Sequence, residues 1–197
     1  MSVFFLRKVL DNDFILLLRH MTEIDDATSL NEKEVMEFYG YNGSAGRFSL
    51  KMKFLRTWIL HSLAYSCPNS GFVVKMQRAR GVTIGKNCHI SPYVLIDLVY
   101  PSLIKIGDNV TIGSNSLIFA HANPTANLFL KKGSYPRKVE QVTIKSGAVL
   151  FPGSIITAGV TIGENSMIGA GSVVFESVPE YCIVMGNPAR VIKKIEH

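Results

Sequence analysis

The chain has 197 residues, 47% of them hydrophobic, and a formal net charge of +6 at pH 7. This length suits one domain or a repeat array with a small extra element, and the hydrophobic content is enough for a core. The positive charge favours an anionic ligand. However, the basic residues are scattered and not clustered in a helix or an aromatic strip, so we expect no nucleic-acid partner.

Cysteine usage and the N-terminal residues indicate a cytoplasmic protein. The three cysteines, Cys67, Cys88 and Cys182, form no CxxC pair and are odd in number, which favours a reducing compartment. Charged residues interrupt the apolar stretches near the N-terminus, and no run approaches the ~20 residues needed to span a bilayer. No spacing typical of a metal site is present, so we expect no metal.

The first 70 residues are predicted to be a helical or irregular segment, followed by a second unit at residues 71–197. The elements expected in the first segment are an amphipathic helix at 2–20, a helix start at Asn31, a loop at 39–46 and a helix at 50–66. The last of these is basic and amphipathic, which is compatible with contact with a membrane surface. We favour the alternative that it caps the open end of a repeat array, because such arrays need polar-faced caps. From Gly71 onward we expect β-structure.

A six-residue repeat organises the rest of the chain. Aliphatic residues recur at every sixth position in three blocks: Ile84, Ile90 and Ile96; Ile106, Ile112 and Ile118; Ile144, Leu150, Ile156, Ile162, Ile168 and Val174. A period of six fits neither a helix nor one long strand, and it predicts a coil of short strands that share an interior. The blocks contain twelve hexads and are separated by interruptions near 98–102 and 121–141.

Three stretches carry a resemblance to a known family: IKIGDNVTIGSNSLIFAH at 104–121, AGVTIGENSMIGAGSVV at 158–174 and GNPARVIKKI at 186–195. They resemble the hexapeptide-repeat acyltransferases, above all the maltose, galactoside and related sugar O-acetyltransferases and the xenobiotic acetyltransferases. The resemblance covers a little over half of the chain. It implies an all-β fold, a left-handed parallel β-helix with three hexads per coil, here with an N-terminal helical segment and a protruding loop. Left-handedness follows from the resemblance alone, because the general preference for right-handed crossovers predicts the opposite.

Three hexads per coil would place both interruptions at the same corner of a triangular prism, with Asp97 and His121 about one rung apart. The neutral imidazole of a histidine can accept a proton from a hydroxyl or an amine. The resemblance implies that His121 is the catalytic base of an acyl transfer that needs no covalent intermediate. Asp97 is a candidate for contact with the acceptor or, alternatively, for capping the following turn. Tyr100 and Asn115 are further acceptor-site candidates, although Asn115 is more simply explained as a turn residue.

The resemblance also implies acetyl-CoA as co-substrate, held in a groove between the subunits of a homotrimer. Ala170 and Arg190 match family positions that contact this molecule. Lys193 stands where relatives often have arginine, and Pro152 stands where they often have serine, so the contacts at Pro152 are in question. The Thr-Lys pair common in the family is Phe175-Glu176 here, which removes one positive charge near the nucleotide phosphates.

These residues predict an acetyltransferase that moves an acetyl group from acetyl-CoA to a hydroxyl, or alternatively an amine, of a sugar or similar small polar acceptor. A non-catalytic β-helix that serves as a scaffold or assembly subunit is the alternative. Measurement of coenzyme A binding separates the two, because only the enzyme requires it.

Overall fold

Short parallel strands form the repeat region of the computed structural model, which describes residues 27–196. The predicted helix at 2–20 lies outside these residues. Each coil places one strand in each of three sheets. Sheet 1 consists of β1 (Thr83–Ile84), β4 (Ile104–Ile106), β9 (Val142–Ile144) and β12 (Thr161–Ile162). Sheet 2 consists of β2 (His89–Ile90), β5 (Thr111–Ile112), β10 (Val149–Leu150), β13 (Met167–Ile168), β15 (Cys182–Gly186) and the antiparallel β16 (Ala189–Lys194). Sheet 3 consists of β3 (Leu95–Ile96), β6 (Leu117–Ile118), β11 (Ile155–Ile156) and β14 (Val173–Val174).

The register of these strands explains the six-residue period. Equivalent hexad positions pair with one another, as in Ile106 with Ile144 and Ile112 with Leu150. The paired aliphatic side chains therefore stack inside the coil, where Ile112, Leu150 and Ile156 are all fully buried. Full burial of such a side chain stabilises the fold by about 1.5–3 kcal/mol. The predicted twelve-hexad coil of a parallel β-helix is confirmed.

The regular corners are made by tight turns that need a left-handed backbone. Asn87, Asn109 and Asn165 have φ of 54°, 57° and 52° at the corner between sheets 1 and 2, and Asn115 has φ of 59° at the corner between sheets 2 and 3. Asparagine tolerates this region because its short polar side chain can hydrogen-bond locally. Asn115 is also exposed. The turn role predicted for Asn115 as the simpler alternative is confirmed.

Within residues 27–196, three helices precede the coil, and their bounds differ from the prediction. They are α1 (Ala27–Phe38), α2 (Gly43–Tyr65) and α3 (Ser70–Arg80). Asn31 lies inside α1 instead of starting a helix, and α2 begins within the glycine-rich stretch predicted as loop.

The expectation of β-structure from Gly71 is wrong, because α3 occupies that stretch. The side chain of Asn69 caps α3 by accepting a hydrogen bond from the N–H of Phe72, and Gly81 ends it with φ of 108°. The buried residues of α3 are Val73, Val74, Gln77 and Arg80, a helical spacing that the β-branched pair obscured in the sequence.

The helices close one end of the coil. Ala64 of α2 and Val73 and Val74 of α3 belong to the same buried apolar cluster as Ile84 and Ile90 of the first coil. This packing supports the capping role that we favoured for the helix predicted at residues 50–66. None of the helices within residues 27–196 is long and apolar enough to cross a membrane.

Candidate active site

Both interruptions leave the coil at one corner, between sheet 3 and sheet 1, as the hexad count predicted. The first connects β3 to β4 and contains a 3-10 turn at Pro101–Leu103. The second connects β6 to β9 and contains β7 (His121–Ala122), α4 (Leu128–Lys132) and β8 (Lys138–Val139), with β7 and β8 paired antiparallel. We call them the first and second excursions. The stacking of β3 on β6 brings their starting points together.

Asp97 and His121 are in direct contact at this corner. The imidazole Nδ1 lies 2.6 Å from Asp97 Oδ2, which also accepts a hydrogen bond from the N–H of Ala120 at 2.8 Å. Asp97 Oδ1 accepts from the N–H groups of Val99 and Tyr100, each at 2.8 Å. An ionised carboxylate only accepts hydrogen bonds, so the proton of a neutral imidazole is held on Nδ1 and Nε2 keeps its lone pair.

This geometry changes the expectation for Asp97. Its side chain is fully buried, which leaves no surface for contact with an acceptor. The alternative of turn capping is confirmed, because Oδ1 binds the two N–H groups that follow in the chain. Asp97 therefore orients His121 and shapes the first excursion at the same time.

His121 itself remains accessible. Its side chain is 25% exposed, and the edge of its ring packs against Tyr100 with 5.3 Å between ring centroids. Within residues 27–196, Nδ1 makes the only hydrogen bond of the ring, so Nε2 is available to take a proton.

A cavity of about 320 Å³ opens beside His121. It lies between the two excursions and the first two helices, and its lining includes Asn31 of α1, Phe54 of α2, Tyr100, Asn123 and Arg137. A larger cavity of about 730 Å³ is lined by the second excursion and does not include His121 among its lining residues. The sequence indicated Tyr100, but nothing in its periodicity indicated that Arg137 and the helices line the cavity.

Partly buried hydrogen bonds and an ion pair connect the second excursion to α1. Lys131 Nζ donates to Glu34 Oε2 at 2.6 Å and also to the side-chain oxygen of Asn31. Asn123 Nδ2 donates to Asn31 Oδ1 at 2.9 Å. Lys131 is only 5% exposed, and its ammonium group is taken up by these contacts.

Arg80 of α3 binds the backbone next to the side chain of Asp97. Its Nη2 donates to the backbone carbonyls of Ile96 at 3.0 Å and Asp97 at 2.6 Å. Burial lowers the pKa of Arg80 to about 10, and the nearby Asp97 charge partly opposes this shift. Burial and the Arg80 charge lower the pKa of neighbouring His61 to about 4, so that this imidazole is neutral near pH 7.

The residues expected to bind acetyl-CoA lie elsewhere on the chain. Ala170 and Pro152 are exposed at the corner between sheets 2 and 3, where Gly171 N–H donates to the Pro152 carbonyl at 3.0 Å. Asn115 occupies the same corner one coil below. Arg190 and Lys193 are exposed on β16, which extends sheet 2.

That corner is separated from His121 by the width of sheet 3. Within a single chain, Asn115, Pro152 and Ala170 therefore precede the strands of sheet 3, whereas His121 follows one of them.

The fold and this site define a hexad-repeat β-helix protein with an aspartate-oriented histidine. Residues 141–176 match the family model for the bacterial transferase hexapeptide (six repeats), and residues 103–118 match that for the hexapeptide repeat of succinyl-transferase. The putative colanic acid biosynthesis acetyltransferase WcaF of Escherichia coli K12 is 31% identical over 132 residues, which cover 59% of this chain and 71% of that protein. The chain belongs to the hexapeptide-repeat acetyltransferase family.

Further relatives extend the comparison. Galactoside O-acetyltransferase of Escherichia coli K12 is 34% identical over 118 residues, and the match covers 56% of this chain and 56% of that protein, a little over half of each. A solved galactoside acetyltransferase in complex with coenzyme A is 28% identical, with a TM-score of 0.58 and coverage of 75% of this chain and 82% of that one. A hexapeptide-repeat acetyltransferase of Vibrio cholerae shares the fold, with a TM-score of 0.62 at 21% identity over 79% of this chain and 92% of that one.

Proposed function

We propose that this protein transfers an acetyl group from acetyl-CoA to a hydroxyl of a sugar or similar polar acceptor bound in the cavity beside His121. The observation that carries the proposal is the 2.6 Å contact between His121 Nδ1 and the buried Asp97 carboxylate, with the imidazole opening onto that cavity. The related galactoside O-acetyltransferase and the solved galactoside acetyltransferase with bound coenzyme A support this reaction class. A scaffold without activity would not need an oriented imidazole at a cavity.

In the proposed mechanism, His121 is the general base. Nε2 takes the proton of the acceptor hydroxyl while its oxygen attacks the carbonyl carbon of the thioester. The C–S bond then breaks, and the thiol leaves with the proton that the imidazole carried. The Asp97 carboxylate stabilises the imidazolium that forms in between, in the way a buried carboxylate does for other catalytic histidines. A positioned general base contributes about 10²–10⁴-fold to the rate.

We further propose that the coil is left-handed and that the active unit is a homotrimer. His121 lies at one end of sheet 3, whereas Ala170, Pro152 and Arg190 lie at the other end. A second copy of the chain that brings its corner between sheets 2 and 3 to His121 would let one acetyl-CoA contact both groups. The half-exposed apolar side chains of Phe151 and Met185 beside that corner, 40% and 48% exposed, favour such an interface.

In this assembly Arg190 and Lys193 would bind the nucleotide phosphates of acetyl-CoA, because both are exposed cations next to the corner. Pro152 and Ala170 would contribute their backbone carbonyls and apolar surface. Proline has no N–H, so Pro152 offers no donor where relatives often have serine. Glu176 would weaken phosphate binding at its own position. We keep the cytoplasm as the expected compartment, since all three cysteines are free thiols.

The test is a panel of sugars and amino sugars assayed for release of free thiol from acetyl-CoA. We expect turnover with at least one hydroxyl acceptor and binding of coenzyme A in isothermal titration. Absence of both would favour the scaffold.

A mixing experiment tests the shared site. His121→Ala and Arg190→Glu chains, each weakly active alone, should regain activity when unfolded and refolded together, because some mixed interfaces combine an intact base with an intact phosphate-binding strand. Mixtures that stay as inactive as their components would argue against a site between subunits.

A further inference from the structure

Two buried polar atoms in the cavity beside His121 have no partner. Within residues 27–196, the hydroxyl of Tyr100 and the Nη2 of Arg137 make no hydrogen bond, although neither atom reaches the surface. Tyr100 is 1% exposed and the Arg137 side chain 14%. A buried group left unpaired costs about 1–3 kcal/mol, and more if it is charged. In native proteins such atoms indicate a ligand, an ion or a water that completes them.

Both atoms belong to side chains that contact each other and the proposed base. The guanidinium carbon of Arg137 lies 5.1 Å from the centroid of the Tyr100 ring, and the His121 ring lies 5.3 Å from the same centroid. A group held by Arg137 and the Tyr100 hydroxyl is therefore within the span of one substituted sugar ring from His121. The side chains that carry the two unpaired donors and the side chain of the base line one cavity of about 320 Å³.

The charges around Arg137 leave it only partly neutralised. Its Nε lies 3.8 Å from Glu34 Oε2, but that same carboxylate oxygen binds Lys131 at 2.6 Å. Two cations thus share one carboxylate. Glu32, which lines the cavity, pairs with Arg47 at 3.3 Å. Burial lowers the pKa of Arg137 against the opposing influence of Glu34 and Glu37, which is the sign of a guanidinium with too little compensation.

We infer that Arg137 and Tyr100 form an anion subsite, so that the acceptor is a sugar or similar polyol that bears a carboxylate or a phosphate close to the acetylated hydroxyl. A guanidinium with a free Nη2 and a phenol O–H are both donors, and oxygens of an anionic group satisfy both. Arg137 is then a specificity-determining residue. The inference rests on the proposed function for the identity of the molecule as an acceptor, and its test includes a readout that does not depend on turnover.

The kinetic arm compares matched acceptors by thiol release: glucuronate with glucose, galacturonate with galactose, and glucose 1-phosphate with glucose. We expect the anionic member to be preferred by about 10-fold or more in kcat/KM, the value of one charge-assisted hydrogen bond to a buried partner. The carboxylate and phosphate pairs show which anion the subsite takes. In Arg137→Gln the preference ratio should fall to near one. In Lys138→Gln, which removes a positive charge from the exposed part of the same excursion, the ratio should persist.

Tyr100→Phe provides a variant with no folding liability, because it removes only an oxygen that has no partner. We expect a urea stability equal to or above that of the wild type, because the mutation removes a buried hydroxyl without a partner, and a several-fold rise in KM for the anionic acceptor. Arg137→Lys, which keeps the charge but loses the planar fork, should restore part of the preference lost in Arg137→Gln.

The binding arm measures the rise in melting temperature caused by glucuronate, glucose 1-phosphate or glucose in the absence of acetyl-CoA. We expect a rise with an anionic sugar only, lost in Arg137→Gln. If this rise occurs without turnover, the subsite stands and the proposed activity fails. If neutral and anionic acceptors are used equally and Arg137→Gln leaves their ratio unchanged, the subsite is wrong and the activity stands. Absence of both turnover and binding overturns both.

Discussion

The regular corners of the coil and the corner that carries the excursions differ in turn length and in the residues that form the turns. At the first two corners, every coil turns with four residues and a left-handed residue in the third place, such as Asn109 or Gly153. At the third corner only one turn keeps this form, with φ of 86° at Gly159. The regular repeat stabilises the β-helix, whereas the candidate catalytic residues lie where the repeat is interrupted.

The buried side chains differ in the same way. Inside the regular coil they are aliphatic or small, whereas at the third corner Asp97, Arg80 and Lys131 are buried with their charges. Burial of a charge is costly unless it is paired and hydrogen-bonded. Each of these three groups makes hydrogen bonds, although Arg80 keeps one unpaired donor, Nε, and Arg137 beside the cavity keeps another, Nη2, within residues 27–196. The molecule therefore concentrates its electrostatic cost around His121.

The largest expected effect lies in the regular part. Ile112 is fully buried in sheet 2, away from the excursions, and Ile112→Ala should lower the free energy of unfolding by about 2–5 kcal/mol through lost burial and a residual cavity. Urea denaturation measures this loss. Ile112→Val is the matched control, with an expected loss of about 0.5–1.5 kcal/mol. The folded fraction of either variant should keep the wild-type KM. A changed KM would show that packing in the regular coil affects the site at His121.

Asp97→Asn tests the excursion corner. The amide oxygen can still accept the turn hydrogen bonds, but an NH2 donor then replaces Oδ2 opposite the N–H of Ala120 and the imidazole Nδ1, and the charge that stabilises the imidazolium is lost. We expect kcat to fall about 10²–10⁴-fold, up to the whole contribution of a positioned general base, with a smaller change in KM. Steady-state thiol release provides the measurement. Full kcat in this variant would remove the positioning role of Asp97.

The pH dependence of stability tests the polar support behind the site. The pKa of His61 is about 4 in the folded chain and 6.5 in the unfolded chain. Between these two pH values, the unfolded chain therefore binds a proton that the folded chain does not. This contribution to stability is therefore complete above pH 6.5 and is lost as the pH drops toward 4, with a loss of roughly 2 kcal/mol at pH 5. His61→Gln should lose this contribution when unfolding free energies at pH 7 and 5 are compared. Equal pH dependence in both proteins would contradict a neutral buried His61.

The smallest expected effect concerns Asn115. With φ of 59°, Asn115→Ala should cost about 1 kcal/mol in unfolding free energy, while Asn115→Gly should cost less because glycine adopts this backbone freely. If Asn115 acts only in the turn, the acceptor KM stays unchanged in both variants, even though the proposed trimer brings the corner that carries Asn115 of a second copy to His121. A raised KM in Asn115→Gly with normal stability would instead support the acceptor role considered from the sequence.

The β-helix and the proximity of Asp97 to His121 could be predicted before the structure was known, but the rest of the site could not. The spacing of aliphatic residues predicted the short strands, and the three hexads per coil implied by the family resemblance placed Asp97 near His121, because successive coils stack in register. It could not show that α1 folds over the cavity. That depends on contacts such as Asn31 with Asn123, 92 residues apart, which leave no periodic trace. The helix α3 was missed because its two adjacent valines are typical of strands.

The most direct test of the central claim is the rate of thiol release from acetyl-CoA by His121→Ala beside His89→Ala, with wild-type protein as reference. His89 is exposed on the outer face of sheet 2 and has no part in the proposed mechanism. We predict that His121→Ala loses about 10³-fold in kcat while it keeps its circular dichroism spectrum and its coenzyme A affinity, and that His89→Ala stays within about 2-fold of wild type. Wild-type turnover by His121→Ala would contradict the account.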